Sequence, residues 1–212
     1  MCTRYYIDSE SGPLLPYVQA VGRSSIARTF IEQGSPIITS GEVRPCDVAP
    51  VLATSRRRTK TVFPMKWGYS MTGASGERVS LLLNARSETA GTKPTFAEGW
   101  REHRCIIPAS WYYEWEHFSS PSGKKKTGAK YMIQPKGSQL TFLCGLYRME
   151  QGLPCFVVLT REPSESISHI HDRMPLILPQ DLAEDWVDPT NKPEAFLPHA
   201  LTEMVAERAD AK

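Results

Sequence analysis

Cys2 raises the first chemical question in this sequence. Removal of Met1 leaves a residue carrying an α-amine and a thiol together, a pair of nucleophiles that no internal position can offer. The alternative is a small residue at the start of a first strand, with an idle thiol. Polar company from elsewhere in the chain separates the two readings.

Four stretches put polar residues where the pattern asks for apolar ones. "LLLNARSE" ends an apolar run in Asn84 and Arg86, two positions apart and therefore on one face of extended backbone. Asn is also common at strand ends. In "SWYYEWEH", alternation puts Tyr112, Glu114 and Glu116 on one face and Trp111, Tyr113 and Trp115 on the other. Glu114 is solvated if the aromatics face the core. If the strand is buried on both faces, Glu114 is an interior carboxylate with a raised pKa and a candidate acid/base. "SHIHDRMPLIL" sets His169, His171, Asp172 and Arg173 before an apolar strand. A single histidine there suits a proton shuttle, because His titrates near neutral pH. No third ligand accompanies the two histidines, so no metal is expected. In "MKWGYS", Trp67 precedes Gly68, which makes it either a core residue or a stacking platform for a base.

The elements that must hold these residues follow from composition and pattern. With 212 residues, 41% hydrophobic and 23% charged, the chain reads as one globular domain over 1–212 that buries a core without staples. No run approaches the roughly 20 apolar residues of a membrane helix, and no export signal precedes the body, so a cytoplasmic address is expected; a monomer is expected as well. The five cysteines contain no C-x-x-C pair, which argues against a zinc knuckle or a disulfide framework. A net charge of +2 does not announce a nucleic-acid protein, although "SRRRTK" could supply a local stripe for a phosphate backbone. "GKKKTGAK" reads as a solvated loop.

"PYVQAV" and "SSIARTFIEQG" predict helices, the second capped by Ser24 or Ser25 and ended by Gly34. "PVLATS", "KTVFPMKWGYS", "VSLLLNAR", "RCIIPASWYYEWEHF", "KYMIQP", "QLTFLCGLYRM" and "PCFVVLT" predict strands separated by turn formers. Short helices are expected at "TFAEGWREH", with Thr95 and Glu98 at capping-box spacing, and at "PSESISHIH" and "PQDLAEDWV". The closing "TEMVAERADAK" suggests a frayed helix or a tail. The expected fold is α+β, with a mostly antiparallel, barrel-like sheet core and peripheral short helices.

Read in order, Met-Cys-x-Arg, "VAP", Trp67-Gly68, "NAR-x-E", the Glu114-Trp115 strand and "HDRMP" resemble the SOS response-associated peptidase (SRAP) family. The resemblance spreads over residues 2–175. It implies a protein that senses abasic sites in single-stranded DNA and forms a covalent thiazolidine through its N-terminal cysteine, with no cofactor. Carried over by residue, Cys2 is the nucleophile, with Asn84, Glu114 and His171 as its catalytic neighbours. Arg4, Arg86 and Arg173 contact phosphates, while Trp67 and Trp115 line the DNA groove. The sequence departs from the family pattern at Thr3, usually Gly, and at Asp47, usually Asn. Two rival readings stay open: a thiol (auto)peptidase using Cys2 and His171, and a single-strand-binding module without cross-link chemistry.

Overall fold

The computed structural model describes residues 2–10, 12–73, 78–119 and 125–209. The first strands are β1 (Arg4–Ile7), β2 (Gly41–Val43), β3 (Val48–Thr54), β4 (Lys60–Trp67) and β5 (Tyr69–Thr72). Next come β6 (Arg78–Leu82), β7 (Asn84–Arg86), β8 (Arg104–Ala109), β9 (Trp111–Ser119) and β10 (Lys125–Pro135). Then follow β11 (Thr141–Glu150), β12 (Leu153–Arg161), β13 (Met174–Pro175), β14 (Ile177–Leu178) and β15 (Met204–Arg208). The helices are short: α1 (Leu15–Val21), α2 (Ser25–Glu32), α3 (Ser87–Ala90), α4 (Pro94–Glu102) and α5 (Ala183–Trp186). Among the described residues, no helix is long and apolar enough to cross a membrane.

β12 pairs with β4, β4 with β3, β3 with β8 and β8 with β11, and β11 returns to β12. Five strands thus close into a small barrel, which removes their edges. Only the β12–β4 seam in this ring is parallel. β8 is buried at every position, as a strand covered on both faces must be, which explains the apolar run that follows Arg104 in it. β7, β13 and β14 attach to the barrel strands. A second, antiparallel sheet runs β15-β10-β9-β1-β2. β8 passes into β9 through Ser110, whose amide donates to the Tyr6 carbonyl at 2.8 Å and whose carbonyl accepts from Thr141 Oγ1 at 2.9 Å. One continuous segment therefore ties the barrel to the second sheet, and the candidate site lies at that junction.

Arg104 is 1% exposed and donates to the backbone carbonyls of Trp100, Arg101, Trp186, Asp188 and Asn191. It binds the end of α4 to the segment following α5. α2 ends as its sequence predicts: Gly34 takes φ +73°, and Ser35 N–H bonds to the Phe30 carbonyl at 2.9 Å.

Four expectations need correction. Lys93, not Thr95, sits at the N-cap of α4, because Pro94 already fixes the first helical turn. "PSESISHIH" forms a succession of turns rather than a helix. Its serines bond sideways, Ser166 Oγ donating to the Thr202 carbonyl at 3.1 Å, which competes with helical pairing. The chain end forms β15, because β10 offers a free edge whose backbone groups need partners. Gly68 does not open space for a ligand: at φ +115°, a Cβ there would lie 2.8 Å from Leu81 Cδ1. Met1, Ser11 and residues 74–77, 120–124 and 210–212 lie outside the described residues, and with them parts of the "TGASGE" and "GKKKTGAK" stretches.

Candidate active site

Cys2 lies just before β1 and is 1% exposed. Its Sγ donates to the Arg4 carbonyl at 3.5 Å, and its own carbonyl accepts from Asn84 Nδ2 at 3.1 Å. Asn84 reaches it because β7 runs parallel to β12, pairing Asn84 with Val158 and Arg86 with Thr160. Ala85 between them is buried in the core, so Asn84 and Arg86 share the other face, as alternation requires. Asn84 Oδ1 is buried with no hydrogen-bond partner among the described residues.

Glu114 comes from β9, next to β1, and is 3% exposed, since both faces of its strand are covered there. Burial pushes its carboxyl up to about 7, and the negative charge of Asp172 adds to the rise. Burial also pushes the Cys2 thiol well above its ordinary range, and Glu114 pushes it further. Cys2, Asn84 and Glu114 therefore meet at one place, drawn from three separate parts of the chain.

His171 ends the turns after β12 and is 6% exposed. Its ring lies 4.5 Å from that of His117 on β9, and His117 N–H bonds to the Ile170 carbonyl at 2.9 Å. Nδ1 is 3.0 Å from the Arg173 amide and 2.8 Å from Asp172 Oδ1. Burial holds the ring down at about 4, against the pull of the Asp172 carboxylate, so the ring is neutral near pH 7. His171 thus stands beside the far half of β9 in its neutral form.

The residues expected to meet DNA are placed very differently from one another. Arg86 is exposed, and its side chain makes no hydrogen bond or ion pair among the described residues. Arg173 is bidentate with Glu88 at 2.8 Å for each bond, and its Nη2 also donates to the Thr160 carbonyl at 2.8 Å. Arg4 pairs with Glu42 at 3.1 Å. Trp115 is half-buried, with Lys130 Nζ 5.4 Å from its ring centroid. Trp67 is 0% exposed; Tyr5 and Phe156 pack on its ring, and its Nε1 donates to the Leu83 carbonyl at 3.0 Å. It offers no face to a base, and instead braces the residue before Asn84. The "SRRRTK" segment turns between β3 and β4, at the opposite end of β4 from Trp67, about 20 Å away at strand rise. Lys130 from "GKKKTGAK" is not a loop residue: it lies in β10, 3.8 Å above the Tyr113 ring and 3.1 Å from Glu42.

Sequence reading missed three groups. Glu88 and Glu42 already hold arginines. Tyr5 and Tyr112, cross-strand partners at the junction, bury their hydroxyls beside Cys2; a tyrosine in a strand signals only core. Asp47, a departure from the family pattern, accepts from the Arg44 amide at 2.8 Å and closes the turn before β3. Among the described residues, no group of three or more His, Cys, Asp or Glu could hold a metal ion.

The family described as SOS response associated peptidase (SRAP) matches residues 1–211. The abasic site processing protein YoaM of Bacillus subtilis (strain 168) is 35% identical over 153 residues, 69% of this chain and 65% of YoaM. The abasic site processing protein YedK of Escherichia coli (strain K12) is 30% identical over 149 residues, 66% of this chain and 63% of YedK. The chain thus spans just under two thirds of the length of these curated relatives. A solved structure from Bacteroides thetaiotaomicron superposes with a TM-score of 0.72 at 22% identity, covering 99% of this chain and 93% of that one. A phage-related protein of Bordetella bronchiseptica gives 0.71 at 20% identity, covering 100% and 95%. At these identities the two structures speak for the fold alone.

Proposed function

The chain belongs to the SOS response associated peptidase (SRAP) family, and on that footing we propose that it processes abasic sites in single-stranded DNA through a covalent bond to Cys2. One observation carries the reading: the Cys2 carbonyl is held by Asn84 Nδ2 at 3.1 Å, beside a buried Glu114 whose carboxyl is pushed up to about 7.

An abasic deoxyribose exists in part as an open-chain aldehyde. With Met1 removed, the Cys2 α-amine, of ordinary pKa about 7.7, is roughly one-sixth neutral at pH 7 and attacks the aldehyde carbon. The C–N bond forms, the carbonyl oxygen takes a proton, and loss of water gives an imine. The thiol then adds across C=N, sulfur to carbon and proton to nitrogen, and a five-membered thiazolidine closes. One water is released, and nothing is oxidised or reduced. Ring closure is intramolecular and correspondingly fast. Near neutral pH, Glu114 is present in both protonation states, which suits a group that must give and take protons in turn. Neutral His171 stands on the other flank as a relay. The exposed Arg86 contributes phosphate affinity without reading sequence.

The peptidase reading meets an obstacle. Reactive thiols sit where their pKa is lowered, whereas burial and Glu114 raise that of Cys2. A protonated thiol is better placed to add second, after the amine.

The experiment is intact-mass analysis of the protein after incubation with abasic and intact single-stranded oligonucleotides. One adduct is expected, with the abasic oligonucleotide only, at the summed mass less one water and less Met1. Adduct formation by Cys2→Ala would overturn the proposal.

A further inference from the structure

Two phenols at the junction take no part in the chemistry above. Tyr5 on β1 and Tyr112 on β9 face one another across the strand pair, and both are 0% exposed. Neither hydroxyl has a hydrogen-bond partner among the described residues. A buried, unpaired O–H has lost its solvation without compensation, and phenylalanine would fill the same space at lower cost. Such groups in a packed interior call for a reason.

Their position supplies one. Tyr112 stands two residues before Glu114 on the same face of β9, and Tyr5 follows Cys2 by three residues. Burial raises both phenols well above their ordinary pKa. Cys2 adds to the rise for each, and Glu114 adds to it for Tyr112. Both therefore keep their protons at neutral pH and remain donors. Together with Asn84 Oδ1, they make three unpaired buried oxygens around the reactive residue.

We propose that Tyr112 and Tyr5 form a subsite for the ring-opened sugar, Tyr112 holding the C1 oxygen of the aldehyde and Tyr5 the hydroxyl released at C4 by ring opening. The inference rests on the covalent reading above and adds to it how the acyclic form is selected. The closed sugar offers a ring ether, which only accepts; the open sugar offers a hydroxyl that both donates and accepts. As the amine attacks, the C=O π pair moves onto oxygen, where the Tyr112 O–H meets the growing charge. Glu114 supplies the proton with which that oxygen leaves as water. The Tyr112 O–H bond itself does not break.

The test uses the full chain freed of Met1, with Tyr112→Phe and Tyr5→Phe. Single-turnover adduct formation is followed with an abasic oligonucleotide and with propionaldehyde, which has no hydroxyl, and thermal midpoints are measured in parallel. Tyr112→Phe should slow both reactions roughly a hundred- to a thousandfold, in the range of a lost donor to a developing oxyanion. Tyr5→Phe should slow the oligonucleotide reaction alone, and both variants should melt at or above the wild-type temperature. Wild-type-like rates in Tyr112→Phe, or slow reaction accompanied by a lowered midpoint, would overturn the subsite while leaving the covalent reading standing. A wild-type chain that forms no adduct would remove both.

Discussion

Asn84 Nδ2 donates to the carbonyl oxygen of Cys2 across 3.1 Å, joining residues 82 positions apart in the chain. That bond fixes the carbonyl, and with it the direction in which the nitrogen and side chain of residue 2 leave the backbone. Asn84→Asp would oppose an acceptor to an acceptor at nearly unchanged shape. It should slow cross-linking at least about tenfold in single-turnover assays while leaving affinity for intact single strands within about threefold. Parallel losses of rate and affinity would mean that Asn84 acts on binding instead.

Glu114 makes stability depend on pH in a direction opposite to most carboxylates. Below its ordinary value of about 4.3 it is protonated in both states and contributes nothing to the pH dependence. Between there and about 7, the folded chain retains a proton that the unfolded chain releases, so raising the pH favours unfolding. Above 7 the buried charge costs the fold on the order of 3 kcal/mol. Glu114→Gln should therefore match wild type near pH 4 and exceed it in denaturant midpoint at pH 8. Its cross-linking should be slower by roughly a hundredfold, as expected for a lost acid/base. A pH-independent difference in midpoint would refute the assignment.

Arg86 and Arg173 should behave differently when truncated, although they stand in similar motifs. Arg86 is exposed and holds no ion pair among the described residues, so Arg86→Ala should leave the melting temperature unchanged and lower the salt slope of single-strand binding by roughly 0.7. Arg173 is bidentate with Glu88, and Arg173→Ala should cost about 1–3 kcal/mol of stability through its lost charged hydrogen bonds. Titrations at two salt concentrations, with urea melts, separate the two. Equal stability losses would contradict the placement.

Arg104 is a stability residue without a place in the chemistry. Five backbone carbonyls accept from its guanidinium, and Arg104→Met would take that donor from all five, with those of Trp100 and Trp186 the most deeply buried. A loss of about 3–5 kcal/mol is expected in urea unfolding, with any residual folded protein still able to cross-link. A near-neutral Arg104→Met would show that the segment after α5 holds without it.

Much of the fold was legible because its strands are encoded twice, by β-branched and aromatic content and by turn formers between them. β3, β8, β11 and β12 read as strands on those grounds, and α2 announced its end with Gly34. Failures came where tertiary partners overrode local preference. "TEMVAER" carries a weak helical signal, yet the open edge of β10 recruits it as β15. The serines of 163–168 found lateral acceptors and gave up the helix. Trp67 beside Gly68 had two readings in the sequence, and packing by Tyr5 and Phe156 chose the core.

The sequence by itself determined which chemistry was available: a cysteine one residue from the start, an amide and an arginine at strand spacing, and a carboxylate among aromatics. Alternation alone already paired Asn84 with Arg86, because extended backbone repeats every two residues. Alternation could not say whether Glu114 was solvated, since that depends on what covers each face of β9. Only the tertiary structure decided it, by laying β9 against β1 and the barrel, so that burial raises the carboxyl to about 7 beside Cys2. It also decided that Glu88 already holds Arg173 while Arg86 stands open. Ion pairs and burial arise between segments distant in sequence, and a local pattern holds no information on which segments will meet.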